Sequence, residues 1–161
     1  MRQDRPVVEA SYPPDIVTRL FNPMARFALS TPLGGPLRRR YMLLHFTGRK
    51  SGRRYVVPVT VHRADDRLYV LTGARWRVNF RGGADVEVTV DGRTTPMRGE
   101  LVERPETVAP IYARRIEEYG LRVARIELAV KINVPRVPTV PELIEAVRRE
   151  GLSVIWLLPK P

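Results

Sequence analysis

A short segment at residues 47–54, Thr-Gly-Arg-Lys-Ser-Gly-Arg-Arg, carries the residue types best suited to chemistry. Its two glycines bracket three polar residues, and glycine permits backbone conformations in which successive N–H groups turn toward one point. Four cations and a hydroxyl accompany them: Arg49, Lys50, Arg53, Arg54 and Ser51. Such donors suit a phosphate. The segment therefore predicts an anion site, and a solvated basic hairpin turn is the alternative that the residues leave equally open.

A second segment, residues 72–83, joins small residues to aromatic ones. The small residues at its start would let a flat ring approach the backbone closely. Trp76 and Phe80 would supply apolar surfaces beside such a ring, and Asn79 a fixed amide. The alternative is an arginine-rich surface loop anchored by two aromatic side chains, and composition does not separate the two.

The charge balance supports an anionic partner. The 161 residues include 28 Lys+Arg against 17 Asp+Glu, a net charge of +11. Such a surface attracts nucleic acid, acidic lipid headgroups or a phosphorylated or polycarboxylate cofactor. The absence of cysteine excludes disulfides, thiol nucleophiles and iron–sulfur clusters, and two histidines argue against a histidine-rich metal site.

Most elements that must position these segments are predicted strands. The expected strands cover residues 41–46, 55–62, 67–72, 86–90, 94–102 and 152–158. Asp91-Gly92 is a strong hairpin signal between two of them. Short, closely spaced strands of this kind are typical of a small antiparallel barrel or sandwich.

Helices are expected at both ends of the chain. Residues 1–14 suggest a flexible arm, and residues 15–30 an amphipathic helix that packs on the barrel or touches a membrane surface. Pro105 begins a helix that Gly120 ends, and a Thr139–Glu142 capping box begins one that Gly151 ends. The stretch 125–134 alternates like a strand but also allows a helix. No apolar run spans a membrane and the N-terminus lacks a signal-peptide pattern, so we expect a cytoplasmic protein.

Several of these pieces together resemble the deazaflavin-dependent nitroreductase family, over roughly residues 38–102. The resemblance rests on residues 46–52, 57–59, 66–71, 76–81 and 86–90. It implies a split β-barrel, similar to FMN-binding proteins, with flanking helices, formed by residues 15–161 as one domain. It also implies a reductase that uses coenzyme F420 and forms a homodimer.

The resemblance assigns roles along the chain. Contacts to the phosphate and acidic tail of the coenzyme are implied for Arg49, Lys50, Ser51 and Arg54. Contacts to the deazaflavin ring are implied for Val57, Pro58 and Thr60, for the backbone of Thr72, Gly73 and Ala74, and for Trp76 and Asn79, which close the pocket. Tyr112 and Tyr119 are candidates for contacting the substrate, with core or rim aromatics as the alternative. No residue is assigned to catalysis, and His45 and His62 are interpreted as ordinary strand residues.

The leading hypothesis is therefore hydride transfer from reduced coenzyme F420 to a small planar acceptor such as a quinone, enone or nitro compound. Such a coenzyme performs the reaction, and the protein positions it. A split-barrel reductase that uses FMN is one alternative. A protein that carries the coenzyme or an apolar ligand without turnover is another, because the loop between Thr72 and Trp76 is short for the family. A basic nucleic-acid binder is less favoured, because no reading motif is evident.

Overall fold

The computed structural model describes residues 5–11 and 39–160. The chain divides into two compact units. One comprises residues 1–12, 71–77 and 102–154, and the other residues 13–70, 78–101 and 155–161. The expected helix at residues 15–30 lies outside the described residues, so its contact with a barrel or a membrane surface stays a prediction, as does the single domain over residues 15–161.

The described residues form two sheets. Their strands are β1 (Val8–Ala10), β2 (Tyr41–Thr47), β3 (Arg54–Thr60), β4 (His62–Ala64), β5 (Arg67–Thr72), β6 (Ala84–Val90), β7 (Arg93–Val102), β8 (Val130–Ile132) and β9 (Ser153–Pro159). Seven follow the order β3-β2-β6-β7-β9-β5-β4, and β1 pairs with β8. The pairs β1–β8, β2–β3, β2–β6, β4–β5 and β6–β7 are antiparallel. The predicted fold class, a mainly antiparallel split barrel with helices, is confirmed.

The hydrophobic pattern explains the strands that carry the site. In β6, Val86 and Val88 are buried whereas Asp85 and Glu87 are exposed, which is the period of two expected for a sheet with one wet face. The nearly continuous apolar run of β9 occupies an interior position in the sheet, as its sequence predicts. Strand β3, in contrast, lies at one end of the strand order. Pro58 has no backbone N–H, and in this terminal strand its absence removes no hydrogen bond between strands.

Turn chemistry sets the register of the β6–β7 hairpin. Asp91 and Gly92 both have positive φ, 52° and 76°, between the paired residues Val90 and Arg93. Two consecutive positive φ values match the twist of the flanking strands, which is why Asp-Gly is favoured there. The predicted hairpin is confirmed. The expected strand at 55–62 instead ends at Thr60, and β4 begins at His62.

Two helices belong to the unit that contains residues 102–154. Helix α1 spans Pro105–Glu127 and helix α2 spans Val140–Glu150, and the two pack together. Gly120, with φ 75° and ψ 161°, interrupts α1 where its end was expected, but helical structure resumes beyond it. Among the described residues, no helix combines the length and apolarity that crossing a membrane requires.

The ambiguous stretch 125–134 contains both kinds of structure. Ile126 lies on the helix and is 71% exposed, so it does not belong to an alternating buried face. Ala129, with a positive φ of 50°, separates the helix from β8. Only the last part of the alternation therefore pairs as a strand, where Val130 and Ile132 are buried.

The N-terminal segment differs from the expected flexible arm. Val8–Ala10 pairs in register with β8, and Val8 is 1% exposed. The Asn133 side chain donates to the Pro6 carbonyl at 2.6 Å, and Arg149 donates to the Val8 carbonyl. A strand of three residues is too short to show periodicity, and its backbone partner lies more than 100 residues away, so the sequence gives no local sign of it.

The N-terminus of α2 has the predicted capping box. Glu142 N–H donates to Thr139 Oγ1 at 3.4 Å, and Thr139 N–H donates to Glu142 Oε2 at 2.8 Å. Arg136 adds a bidentate pair to the same carboxylate at 2.8 and 2.9 Å. The hydrogen bonds from Arg136, followed by the backbone of Thr139, lower the pKa of Glu142 from its usual 4.5 to about 2.

This shift predicts a pH-dependent contribution to stability. Because the folded-state pKa lies below the unfolded value, the contribution is present above pH 4.5 and is lost as the pH falls toward about 2. We expect Glu142→Gln to lower the free energy of unfolding at pH 7, and the difference from wild type to shrink across that window. Urea unfolding at pH 7, 4 and 2.5 measures it. A difference that does not change with pH would contradict the prediction.

Candidate functional site

The turn between β2 and β3 is closed by its own backbone. Gly48 N–H donates to the Arg53 carbonyl at 2.7 Å, and Gly52 N–H donates to the Gly48 carbonyl at 2.9 Å. Ser51 Oγ accepts from Arg53 N–H at 3.2 Å. A Cβ at position 48 would lie 2.6 Å from Ser51 Oγ, and Gly52 has a φ of 68°, so both glycines are required by this geometry. We call residues 48–54 the cationic loop.

Arg49 is engaged within the protein. Its N–H donates to Asn79 Oδ1 at 2.8 Å. Its guanidinium donates to the Arg81 carbonyl at 2.6 Å and to the Val78 carbonyl at 3.5 Å. The cationic loop is thereby tied to the end of a 3-10 helix at Arg75–Phe80.

The other three cations of the loop have a different environment. Lys50, Arg53 and Arg54 are exposed, and no ion pair found among residues 5–11 and 39–160 involves their side chains. Many other arginines of the described chain have a carboxylate partner, for example Arg114 with Glu118. The loop thus presents three positive charges that no described acid neutralises.

Aromatic side chains lie beneath the loop. Phe46 stacks on Tyr55, with ring centroids 5.6 Å apart, and meets Phe80 edge-on at 5.1 Å. Phe80 has no exposed surface, whereas Tyr55 is 40% exposed and places its hydroxyl 3.5 Å from Ser51 Oγ. Offset and edge-on aromatic pairs stabilise such clusters beyond the area they bury. The cluster gives the loop a rigid apolar base with one accessible ring.

A cavity of about 430 Å³ lies in the same unit as the cationic loop, and Arg54 of the loop lines it. Its apolar lining includes Phe46, Val86 and Met97, and its polar lining includes His45 and Arg54. Its remaining lining residues are Thr47, Ala84, Asp85, Glu87, Pro96 and Lys160. Polar and charged residues thus make up about half of this lining, and the concavity is large enough for a small molecule.

The charges around this cavity are partly balanced. Lys160 Nζ lies 3.2 Å from Asp85 Oδ2, and His45 Nε2 lies 2.9 Å from Thr89 Oγ1. Arg54 is the member of the predicted coenzyme-contacting set that lines the cavity. The cationic loop and the cavity are therefore continuous at this one side chain.

The remaining ring-contacting residues lie in two places. Val57, Pro58 and Thr60 are half-buried on β3, the terminal strand of the sheet. Thr72 is buried and its Oγ1 accepts from Ala74 N–H at 3.0 Å. The structure thus gives β3 an accessible apolar strand surface, while the Ala74 N–H is already used within its own turn.

Arg77 adds side-chain contacts to that turn and belongs to the same unit as residues 72–76. It donates to the carbonyls of Gly73 and Ala74 at 3.0 and 3.1 Å and lies 4.0 Å from Glu103. Trp76 is half-buried. The contacts of residues 72–76 with a ring stay predictions, and Arg77 is the residue that fixes their backbone.

The two tyrosines proposed to contact substrate differ in accessibility. Tyr112 on α1 has no exposed surface, which favours the core interpretation that the sequence also allowed. Tyr119, also on α1, is half-buried, and its contact with a substrate stays a prediction.

Comparison with protein families decides the classification. Residues 18–134 match the model of the F420H(2)-dependent quinone reductase family. The chain belongs to this family. The match confirms the resemblance to the deazaflavin-dependent reductases and extends it on both sides of residues 38–102. No curated protein matches the chain significantly.

Solved structures also resemble the chain. An F420-H2 dependent reductase (FDR-A) is 16% identical, with 74% of this chain and 94% of that chain covered and a TM-score of 0.45. A protein described as an F420 reductase is 16% identical, with 77% and 89% covered and a TM-score of 0.44. A pyridoxamine 5′-phosphate oxidase-related, FMN binding protein from Nostoc punctiforme is 15% identical, with 86% and 80% covered and a TM-score of 0.49.

Membership in the F420H2-dependent quinone reductase family makes this chain an oxidoreductase whose coenzyme is F420. The candidate site of this family member includes residues that the sequence analysis did not single out. Sequence reasoning missed Tyr55, His45 and Met97, which lie at the loop or line the cavity. Their only sequence signal is the alternation of β2 and β7, which places them on strands but does not tell which strand faces a cavity.

Proposed function

We propose that this chain transfers hydride from reduced coenzyme F420 to a small, planar, electron-poor acceptor: a quinone, an enone or a nitro compound. One observation carries the proposal. The cationic loop is closed by its own backbone, presents Lys50, Arg53 and Arg54 without an ion pair among the described residues, and adjoins a cavity of mixed polar and apolar lining at Arg54. Family membership supplies the coenzyme and the reductase activity.

The loop fits the chemistry of the coenzyme. Coenzyme F420 carries a phosphodiester and a glutamate tail, both anionic. Charge-assisted hydrogen bonds from guanidinium and ammonium groups are stronger than neutral ones, and the Ser51 hydroxyl adds a further donor. We infer that Lys50, Ser51, Arg53 and Arg54 bind this negatively charged end.

The chain's own groups position and enclose the reactants. When bound, the deazaflavin supplies the hydride, so the protein contributes binding, orientation and exclusion of water. Pro58 and Thr60 share one face of β3, along which a flat ring would lie, while Val57 and Tyr55 belong to the opposite face, where Tyr55 offers an accessible aromatic ring. The cavity of about 430 Å³ beside Arg54 receives the acceptor, with Phe46, Val86 and Met97 as its apolar walls.

We also propose that the protein is a homodimer. The terminal strand β3 carries half-buried apolar residues, and a terminal strand exposes unpaired backbone groups unless another element covers them. A second copy would cover this edge. Light scattering on the purified protein measures its mass, and a monomer at all concentrations would contradict the proposal.

Fluorescence titration with oxidised coenzyme F420 tests the function. We expect a dissociation constant in the micromolar range that weakens with added salt, and oxidation of the reduced coenzyme when a soluble naphthoquinone is present. Absence of binding at micromolar protein would overturn the proposal. Binding without turnover of quinones, enones or nitro compounds would favour a carrier, and preferential binding of FMN would favour the flavin alternative.

A further inference from the structure

The contacts of Arg49 separate it from the other cations of the loop. Its backbone N–H and its guanidinium both contact the segment of residues 78–81, which lies about 30 positions further along the chain. Lys50, the next residue, has no such contact among the described residues. Two cations that are neighbours in the sequence therefore differ in the contacts they make.

The guanidinium of Arg49 is held at a helix C-terminus. The Arg81 carbonyl follows the last residue of the 3-10 helix, and carbonyls at a helix C-terminus carry partial negative charge. A Cβ at Gly82 would lie 3.7 Å from Arg49 Nη2, so the guanidinium also passes close to the following turn. These contacts use the planar, multiply donating shape of guanidinium, which lysine cannot reproduce.

The Asn79 side chain contacts the backbone of Arg49. Its Oδ1 accepts from Arg49 N–H at 2.8 Å, so that N–H is not available to an anion bound at the loop. The Asn79 side chain thus contacts the backbone of the cationic loop, and its contact with a deazaflavin ring stays a prediction.

We propose that Arg49 and Asn79 are positioning residues: together they clamp the cationic loop to residues 78–81, and the coenzyme's anionic end is bound by Lys50, Arg53 and Arg54 instead. The inference rests on the proposed function for its consequence in binding, but the clamp itself is a property of the free protein. It revises the phosphate contact that family resemblance implies for Arg49.

Substitutions that keep or remove the charge of Arg49 separate the two roles. If Arg49 is a clamp, Arg49→Lys and Arg49→Gln both lose the carbonyl contacts, and we expect about a 10-fold weaker dissociation constant for coenzyme F420 in each. The slope of the logarithm of that constant against the logarithm of salt concentration should then stay at the wild-type value in Arg49→Gln. If the charge of Arg49 bound the phosphate, Arg49→Gln would reduce this slope. The matched control, Lys50→Gln, is expected to reduce that slope.

Amide hydrogen exchange on the free protein tests the clamp without coenzyme. We expect the Arg49 amide to be protected in the wild type and to exchange at least about 10-fold faster in Asn79→Ala. Asn79→Asp keeps an acceptor oxygen and should retain the protection. The Leu157 amide in β9 should be unchanged in all variants, which distinguishes a local release from general destabilisation.

Each outcome bears on a different statement. Unchanged exchange of the Arg49 amide in Asn79→Ala, or wild-type affinity in Arg49→Lys together with a reduced salt slope in Arg49→Gln, would overturn the clamp. Failure of the wild type to bind the coenzyme would overturn the proposed function, while the exchange experiment would still decide whether Arg49 and Asn79 hold the loop.

Discussion

Replacing Lys50, Arg53 and Arg54 together with glutamine is expected to weaken the binding of coenzyme F420 by at least about 100-fold. A hydrogen bond to a charged group contributes about 1.5–3 kcal/mol, and each factor of ten in affinity is about 1.4 kcal/mol. Solvent screens the charges of this exposed loop and weakens each contact. The expected loss of affinity, about 100-fold, is therefore smaller than the sum of three full contacts would give. Fluorescence titration of wild type and variant measures the loss.

A matched control separates the loop from net charge. Arg67, Arg93 and Arg122 are also exposed, and replacing them with glutamine lowers the net charge by the same three units. We expect this control to bind the coenzyme within about threefold of wild type, because these arginines lie on other elements than the cationic loop and isolated exposed charges contribute little when screened by salt. Equal losses in both triple variants would show that the overall charge, and not the cationic loop, attracts the coenzyme.

Removing the Phe80 ring is expected to cost about 3–5 kcal/mol in the free energy of unfolding. Phe80 has no exposed surface and packs edge-on against Phe46. It also fills the space above Gly99, where an added Cβ would lie only 2.5 Å from Phe80 Cδ1. Phe80→Ala therefore leaves a cavity in a close-packed region, and urea unfolding of the variant measures its cost.

Val78 provides the comparison for Phe80. It lies on the same 3-10 helix but is 36% exposed, and Val78→Ala should change the free energy of unfolding by less than about 1 kcal/mol. Because Phe80 anchors the segment that carries Asn79, Phe80→Ala should also speed exchange of the Arg49 amide. A loss below about 1 kcal/mol for Phe80→Ala would mean that the site collapses around the missing ring or that the ring is not a packing anchor.

The cationic loop carries two kinds of basic residue. Arg49, Lys50 and Arg53 are all exposed, but the guanidinium of Arg49 donates to carbonyls of the protein, whereas Lys50 and Arg53 make no ion pair with a described acid. An anion that approached would meet a surface already held in one geometry, which reduces the entropy that binding must overcome. Preorganisation of this kind would favour the proposed binding of an anion at a solvent-exposed turn.

Local sequence signals were reliable where the physics is local. The positive φ values of Asp91 and Gly92, the capping box of Thr139 and the break at Gly120 each depend on a few neighbouring residues. Their positions were therefore predictable. The strand at residues 8–10 depends on a partner at residues 130–132, and no local pattern marked it.

The sequence by itself determined most strands of the larger sheet, the β6–β7 hairpin, the turn at residues 48–54 and the family, because alternation, glycine placement and motif spacing are written in neighbouring positions. Only the tertiary structure decided which cation is held and which is presented. Arg49 and Lys50 are adjacent and both basic, but carbonyls near residue 80 engage only the first. Contacts across some 30 residues depend on how strands and turns meet in space, and this information is absent from either segment alone.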